Sequence, residues 1–581
     1  MCRLIGCVTT LLLTVAVASG EPESPKIAPP REVNPVADAT GLPKPGRMPL
    51  TGLAPAKPMF DACLYRYGVG TSSKQCQAFV DQALGMYYSY VWIEAARAAE
   101  TALIHDPDCA YAWLVLHRSL EKWGKGAVTP KTSGLAGILG LPAYTTLPEK
   151  MTKSPADLTL ESARKLMTRA SHREQLLIQS RLQEKGMWPN VGPEERKKKA
   201  QQSLDELLTL YEDDEEGWFW RAQLANGDGP NASAPFYKAL LKVNPIHPGA
   251  NHELVHFFEN IRRPALGWPF AEGYMKSSPG IPHAFHMQAH LGMRIGKWST
   301  TSDCSSKAVE LQIAYHKHQG VTPGEDHQFN HHLETLTRSL VHDGRFAEAK
   351  EIKAKAEGYK YSFKPEWFRM AIAQQDWAEC QKQLETFRKS DKAGGAYFAA
   401  IASLDKGETA QAGREVDTLR ALQQAKKSDK TLERRLWEVQ GRYLCQKGDG
   451  EAGLKLLKKL VDSTKNDFSS HAWGHGAIPM EAWGIGALEA GNAVDAEEAF
   501  QEALAHDAGS VRGALGMWAL CDRLGRTDEA ASYLKLAQRL WTRAAPKDFE
   551  TLKALMARRA SGIGKSMAAT TASVENATDG K

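Results

Sequence analysis

GNAVDAEEAFQEALAHD, Gly491 to Asp507, and GRTDEAASYLKLAQRLW, Gly525 to Trp541, are two seventeen-residue runs that start 34 residues apart. Gly491 matches Gly525, Ala496 matches Ala530, and Phe500 with Ala503 matches Leu534 with Ala537. A glycine ahead of an apolar helical pattern marks a turn between helices. Small residues at fixed offsets let two helices cross closely. The spacing therefore predicts a helix-turn-helix unit of 34 residues. A unit of that kind cannot bury its apolar face alone and must stack on its neighbours.

Working outward, the same turn recurs at Gly296-Lys-Trp298, Gly344-Arg-Phe-Ala-Glu-Ala349, Asp376-Trp-Ala378, Gly407-Glu-Thr-Ala-Gln-Ala412 and Gly448-Asp449. Pro245 and Pro279 are again 34 apart. Ala83, Ala95, Ala102 and Asp106-Pro107 make a further unit at the front. The expected fold is all-α: a right-handed solenoid of tetratricopeptide-type helical hairpins, about eight to nine repeats long. A non-repeating α-bundle is the alternative, and it gives no reason for so many turns in phase.

The chain has 581 residues, with 43% hydrophobic and 24% charged side chains and a formal net charge of +5. This is ordinary for a folded protein, and the charge does not point to nucleic acid. Arg3, the apolar run Leu11 to Val17 and the small residues Ala18-Ser19-Gly20 read as a secretory signal over 1–20. The chain is thus expected to be exported, to a periplasm or beyond, with no membrane span in its mature part. An uncleaved anchor is the alternative. Residues 21–60 are proline-rich and read as a linker. A first repeat is expected over 61–123 and a loop insertion over 124–155. Central repeats with a histidine-rich groove follow over 156–350, and further repeats over 351–545. A terminal helix and disordered tail close the chain over 546–581. After removal of Cys2 and Cys7, seven scattered cysteines remain, which do not form a disulfide framework. One pair among Cys63, Cys76 and Cys109 stays open at this stage.

The chemistry concentrates between residues 245 and 345, which hold 12 of the 18 histidines. His252 and His256 stand four apart, as do His286 and His290, so each pair shares a helix face. The two pairs are themselves 34 residues apart. With Pro245 and Pro279 ending their units, these histidines take the fifth and ninth positions of successive first helices. His283 and His331 take the second position, and Glu334 and Arg338 the fifth and ninth positions of the next unit. First helices of neighbouring repeats lie about 8–10 Å apart. Long side chains can meet across that gap. The expected groove therefore carries His283, His331, Glu334 and Arg338. The expected metal ligands are His252, His256, Glu259, His286 and His290. Imidazole and carboxylate suit zinc or another transition metal. A polar groove of mutually hydrogen-bonded imidazoles, without metal, is the competing reading. Within the ladder, His252-Glu253-Leu254-Val255-His256 also fits the H-E-x-x-H string of zinc proteases, with Glu253 as the candidate general base. The ladder already accounts for both histidines, and no strand is in sight to frame such a site.

These residues resemble a family of exported, mostly bacterial tetratricopeptide-repeat proteins. His247-Pro-Gly-Ala-Asn-His252 with His256 and Glu259 is similar to that family's H-P-G-A-x-H-x-x-x-H-x-x-E signature. His283, His286-Met287 and His290 resemble its H-x-x-H-M-P-x-H signature, with Gln288 in place of the proline. A third, H-N-x-H, is met only in part: His332 replaces the asparagine and Glu334 the second histidine. The resemblance covers about residues 65–545 and implies the fold and the place of the site. It implies no reaction. The leading expectation is a scaffold that takes a protein, peptide or metal-bound ligand in its concave groove. A zinc-dependent hydrolase using Glu253 and an assembly protein with an inert groove are the alternatives.

Overall fold

Seven hairpins among the described residues turn through the same three-residue step. A first helix ends, one residue follows, the next adopts the left-handed backbone, and a third leads into the second helix. At Gly491 (φ 73°) and Gly525 (φ 70°) glycine takes the left-handed place, where a side chain is disfavoured. Three hairpins put a side chain there instead: Tyr90 (φ 58°), Arg262 (φ 61°) and Gln375 (φ 53°). Helix starts are fixed by side chains that accept a free backbone N–H, as Asp214, Asp376, Asn492 and Ser510 do. Others begin on proline, as at Pro248 and Pro282.

In this computed structural model, residues 47–125, 153–229, 231–467 and 474–563 are described. They form 25 α-helices and no strand. The helices pair into twelve consecutive hairpins, and helix Pro546–Arg559 stands at the end. The fold is an all-α helical solenoid of tetratricopeptide type. It has more hairpins than the turns visible in sequence suggest. The extra ones are N-terminal: Ala110–Leu120 with Pro155–Leu166, His172–Glu184 with Arg196–Leu210, and Glu215–Ala225 with Ala234–Val243. The insertion splits the first of these. The last joins its helices through a 3-10 turn at Asn226–Asp228.

The signal segment 1–20, the linker up to 46, residues 126–152 of the insertion and the tail from 564 lie outside the described residues. Residues 47–60, linker-like in composition, lie against the first hairpin. The backbone N–H groups of Leu50 and Thr51 both donate to the Glu100 carboxylate at 2.8 Å, and that of Ala56 donates to the Thr101 hydroxyl at 2.8 Å. Cys63, Cys76 and Cys109 are buried and unpaired. No helix among the described residues is long and apolar enough to cross a membrane.

Packing follows the 34-residue period. Ala496, Ala499 and Ala503 are fully buried on one face of helix Ala493–His506. Phe500 enters the space left by Gly484 and Gly516, where an added Cβ would come within 2.6 and 2.4 Å of its ring. The late hairpins also return to the central ones. The Trp298 indole donates to the Asp507 carboxyl at 3.0 Å, and the Trp541 indole to the His342 carbonyl at 2.7 Å. The late hairpins thus rest on the turns of the central ones.

Candidate metal centre

Three successive first helices carry the site: Pro248–Asn260, Pro282–Arg294 and Phe329–His342. Their histidines gather into two triads. His252 and His256 of the first helix meet His283 of the second. His286 and His290 of the second meet His331 of the third. The ligand atoms of each triad lie within 4.8 Å of one another. The arrangement is one motif used twice: the fifth and ninth positions of one helix face the second position of the next. The pairs are 34 residues apart, while His283 and His331 are 48 apart. The long second helix Trp298–Gln319 and the turn after it take up the difference.

In the first triad the hydrogen bonds fix the tautomers. The Nδ1 of His252 is 2.6 Å from the Tyr88 carbonyl oxygen, which can only accept. The Nδ1 of His256 is 3.0 Å from a Glu259 carboxylate oxygen, which also only accepts. Both Nδ1 atoms therefore carry a hydrogen, and in the neutral rings both Nε2 atoms present a lone pair. Those two Nε2 atoms face each other at 3.0 Å. The Nε2 of His283 joins them, 3.1 Å from that of His252. A proton between the lone pairs would create a histidinium. Burial, then the neighbouring imidazoles, hold His252 and His283 well below the ordinary histidine pKa and so oppose it.

The second triad is built alike. The Nε2 of His331 lies 2.9 Å from that of His286 and 3.3 Å from that of His290. Burial, then nearby histidines, push His286 down; burial pushes His290 down against the pull of Glu259; and burial, then His290, push His331 down to about 3. Glu259, expected as a ligand, sits behind the ligand atoms. One of its oxygens takes the His256 Nδ1–H and the other lies 3.3 Å from the His290 Nδ1. It thereby orients one histidine in each triad. Burial alone would raise the Glu259 pKa. The hydrogen bonds from His256 and His290 and the Arg294 guanidinium at 2.5 Å override burial and hold the carboxyl well below its usual range. Such carboxylate–histidine pairs set the ring and raise its basicity toward a metal.

The remaining expected residues lie elsewhere. Glu253 accepts from the Tyr90 hydroxyl at 2.9 Å and the Gln223 amide at 3.1 Å, so the H-E-x-x-H glutamate faces away from the convergent nitrogens. Glu334 and Arg338 pair with each other at 2.8 Å, and Arg338 reaches Glu366 at 3.1 Å.

Four contributors were not picked out as site residues from the sequence. Tyr90 lies over the first triad, its ring parallel to that of His256 and 4.4 Å from that of His252. Its signal is a bulky residue in the left-handed turn place. The Tyr88 carbonyl has no signal in sequence. Arg294 stands four residues after His290 and so on its face. His332 packs on His286 with ring centres 4.1 Å apart, its Nδ1 2.5 Å from the Gln312 carbonyl oxygen.

No family model matches the chain, and no curated protein matches it. Solved structures do. The TPR domain of P58(IPK) is 12% identical with a TM-score of 0.17, over 60% of this chain and 99% of that one. Yeast Tom70 is 11% identical with a TM-score of 0.22, over 84% and 89%. A monomeric mutant of IFIT1 is 13% identical with a TM-score of 0.24, over 81% and 91%. At such values no property of those three proteins passes to this chain.

Proposed function

We propose that this is an exported helical-repeat scaffold that binds two transition-metal ions, zinc foremost, one in each histidine triad, and offers them to a protein, peptide or small ligand in its groove. The observation that carries the reading is the pair of Nε2 lone pairs of His252 and His256, opposed at 3.0 Å with both tautomers fixed. A cation between them turns repulsion into coordination. Neutral imidazoles are the form a metal needs, and three of them leave a fourth position for water or a ligand. The His256 side chain is 30% exposed, which gives that position a way in.

The alternative, a self-satisfied polar groove, requires the imidazoles to complete one another's hydrogen bonds. The buried Nδ1 atoms of His283 and His286 have no hydrogen-bond partner among the described residues. The hydrolase reading requires Glu253 beside the metal, and Glu253 is engaged with Tyr90 and Gln223.

Cobalt(II) titration of the mature chain, made without a histidine tag, tests the proposal. Visible ligand-field absorption that saturates at about one ion per triad is expected. It should halve in His256→Ala and in His331→Ala. No such band, with calorimetry also showing no zinc uptake, would leave the polar groove.

A further inference from the structure

The first helices of the five hairpins that follow the histidine slots enclose a second site. Helices Lys364–Ala373, Lys392–Lys406, Lys430–Lys447, Ile478–Glu489 and Val511–Arg523 surround a cavity of about 1000 Å³, counted with its open mouth. It shares no residue with the triads. Concave apolar cavities with a few convergent polar groups are where small organic ligands bind.

Its wall has two characters. Phe368, Ile372, Phe398, Ile401, Ile485 and Val511 supply an apolar surface. Four arginines, 369, 442, 512 and 559, also line it. Three of them are engaged. Arg369 holds Glu366 at 3.2 Å and His475 at 2.9 Å. Arg442 and Arg559 share Asp405 at 2.9 and 2.5 Å. Arg512 has no ion pair or hydrogen bond among the described residues, and it is only half-buried. It stands in the first turn of its 13-residue helix, where the backbone dipole adds positive potential. Of the cavity's acids, Asp405 feels the Arg512 charge but is bonded to Arg442 and Arg559, and the other two are bonded to hydroxyls. Glu481 accepts from the Ser510 hydroxyl at 2.7 Å, and Glu438 from the Tyr397 hydroxyl at 2.9 Å. Burial also pushes the Glu438 carboxyl upward.

We infer that this cavity binds a small organic anion with a compact apolar body, its carboxylate held by Arg512 and its hydrocarbon against the Phe368, Phe398 and Ile401 wall. A guanidinium matches a carboxylate with two parallel hydrogen bonds, and a dry apolar wall rewards hydrocarbon. A short fatty acid and the free C-terminus of an apolar peptide share this chemistry.

The test uses the full chain with anilinonaphthalene sulfonate as a fluorescent probe and octanoate and octanol as competitors. Octanoate is expected to displace the probe at a concentration about tenfold below octanol, and Arg512→Ala to remove that preference while octanol still competes. Ile401→Trp, which fills the cavity from a partly exposed place, is expected to lower the affinity for both about tenfold. An acetylated Val-Ile-Phe peptide with a free C-terminus, beside its amide, separates the two sources. Competition by the free peptide but not by octanoate assigns the peptide terminus, and the reverse assigns the fatty acid. Equal displacement by octanoate and octanol, or an octanoate preference that survives Arg512→Ala, overturns the inference.

Discussion

His252, His256 and His283 occupy the places that His286, His290 and His331 occupy one hairpin later. One hairpin further on, Glu334, Arg338 and Glu366 occupy them. All three slots bury polar groups between stacked first helices. The third completes itself. Arg338 meets a carboxylate through Nε and again through Nη2, and Glu366, despite burial, is kept well below the usual carboxylate range by Arg369, His475 and Arg338. The histidine slots do not complete themselves. They bring lone pairs together and leave buried nitrogens unanswered. A buried ion pair needs no visitor, whereas imidazoles converging through Nε2 are the donor set the proposed metal would take. The backbone is shared, so the difference lies in three side chains per slot.

The sharpest way to break this comparison is to remove the metal. With zinc at about a thousand times its Kd, each occupied triad adds about 4 kcal/mol to stability. Thermal unfolding with zinc and with chelator should show a large shift in the native chain. The shift should shrink by about half in His252→Glu/His256→Arg/His283→Glu, which copies the third slot into the first. An undiminished shift in that variant would place the metal elsewhere.

The C-terminal repeats supply the contrast in pure packing. Phe500→Ala empties the space between Gly484 and Gly516 and should destabilise the fold by about 3–5 kcal/mol in urea unfolding, with metal content unchanged.

His117 separates pH effects of burial from those of metal. Its Nδ1–H donates to the Ala156 carbonyl at 2.8 Å, and its Nε2 accepts from Arg181 at 3.0 Å. Burial, then the Arg181 charge, push it down to about 3 from 6.5. Between those values the unfolded chain holds the proton and the folded chain does not. Stability is therefore full above about pH 6.5 and falls as the pH drops toward 3, by up to about 1.4 kcal/mol per pH unit. Urea midpoints at pH 7 and pH 4 should show it, and His117→Asn should reduce the slope by this one group's share, the other buried histidines keeping theirs.

Glu259→Gln asks whether one carboxylate serves both triads. Zinc affinity should fall about 10- to 100-fold at both sites in a chelator competition. A change at one site alone would break the link between them. The smallest effect is at Tyr90. Glycine there relieves a left-handed backbone disfavoured by about 1 kcal/mol and uncovers the first triad. The variant also gives up the hydroxyl bond to Glu253 and the ring packing on His252 and His256, so thermal unfolding without metal should show a net loss, and metal exchange should be faster.

The fold was legible because Gly491 and Gly525, and their alanines, keep strict phase. The three N-terminal hairpins were not counted: an insertion splits one, a 3-10 turn joins another, and in the third Gly186 takes the left-handed place but a long connection to Arg196 breaks the three-residue step. The histidine pairs at four-residue spacing gave the helix faces. They did not give the stagger between neighbouring helices, which sets His283 against His252 and His256 in place of the pair below. Nor did they give Glu259 its place behind the ligand atoms, because a face does not say which nitrogen of a ring points inward. The Tyr88 carbonyl belongs to the backbone of a hairpin 164 residues away in sequence from His252 and leaves no trace in side-chain spacing.

Metal content tests the central claim most directly. The mature chain, purified without a histidine tag, is measured by elemental analysis beside His256→Ala, His331→Ala and the double variant. About two equivalents of a transition metal in the native chain, about one in each single variant and none in the double are expected, one ion to each triad. A native chain free of metal after incubation with zinc, or a double variant that keeps its metal, would contradict the claim.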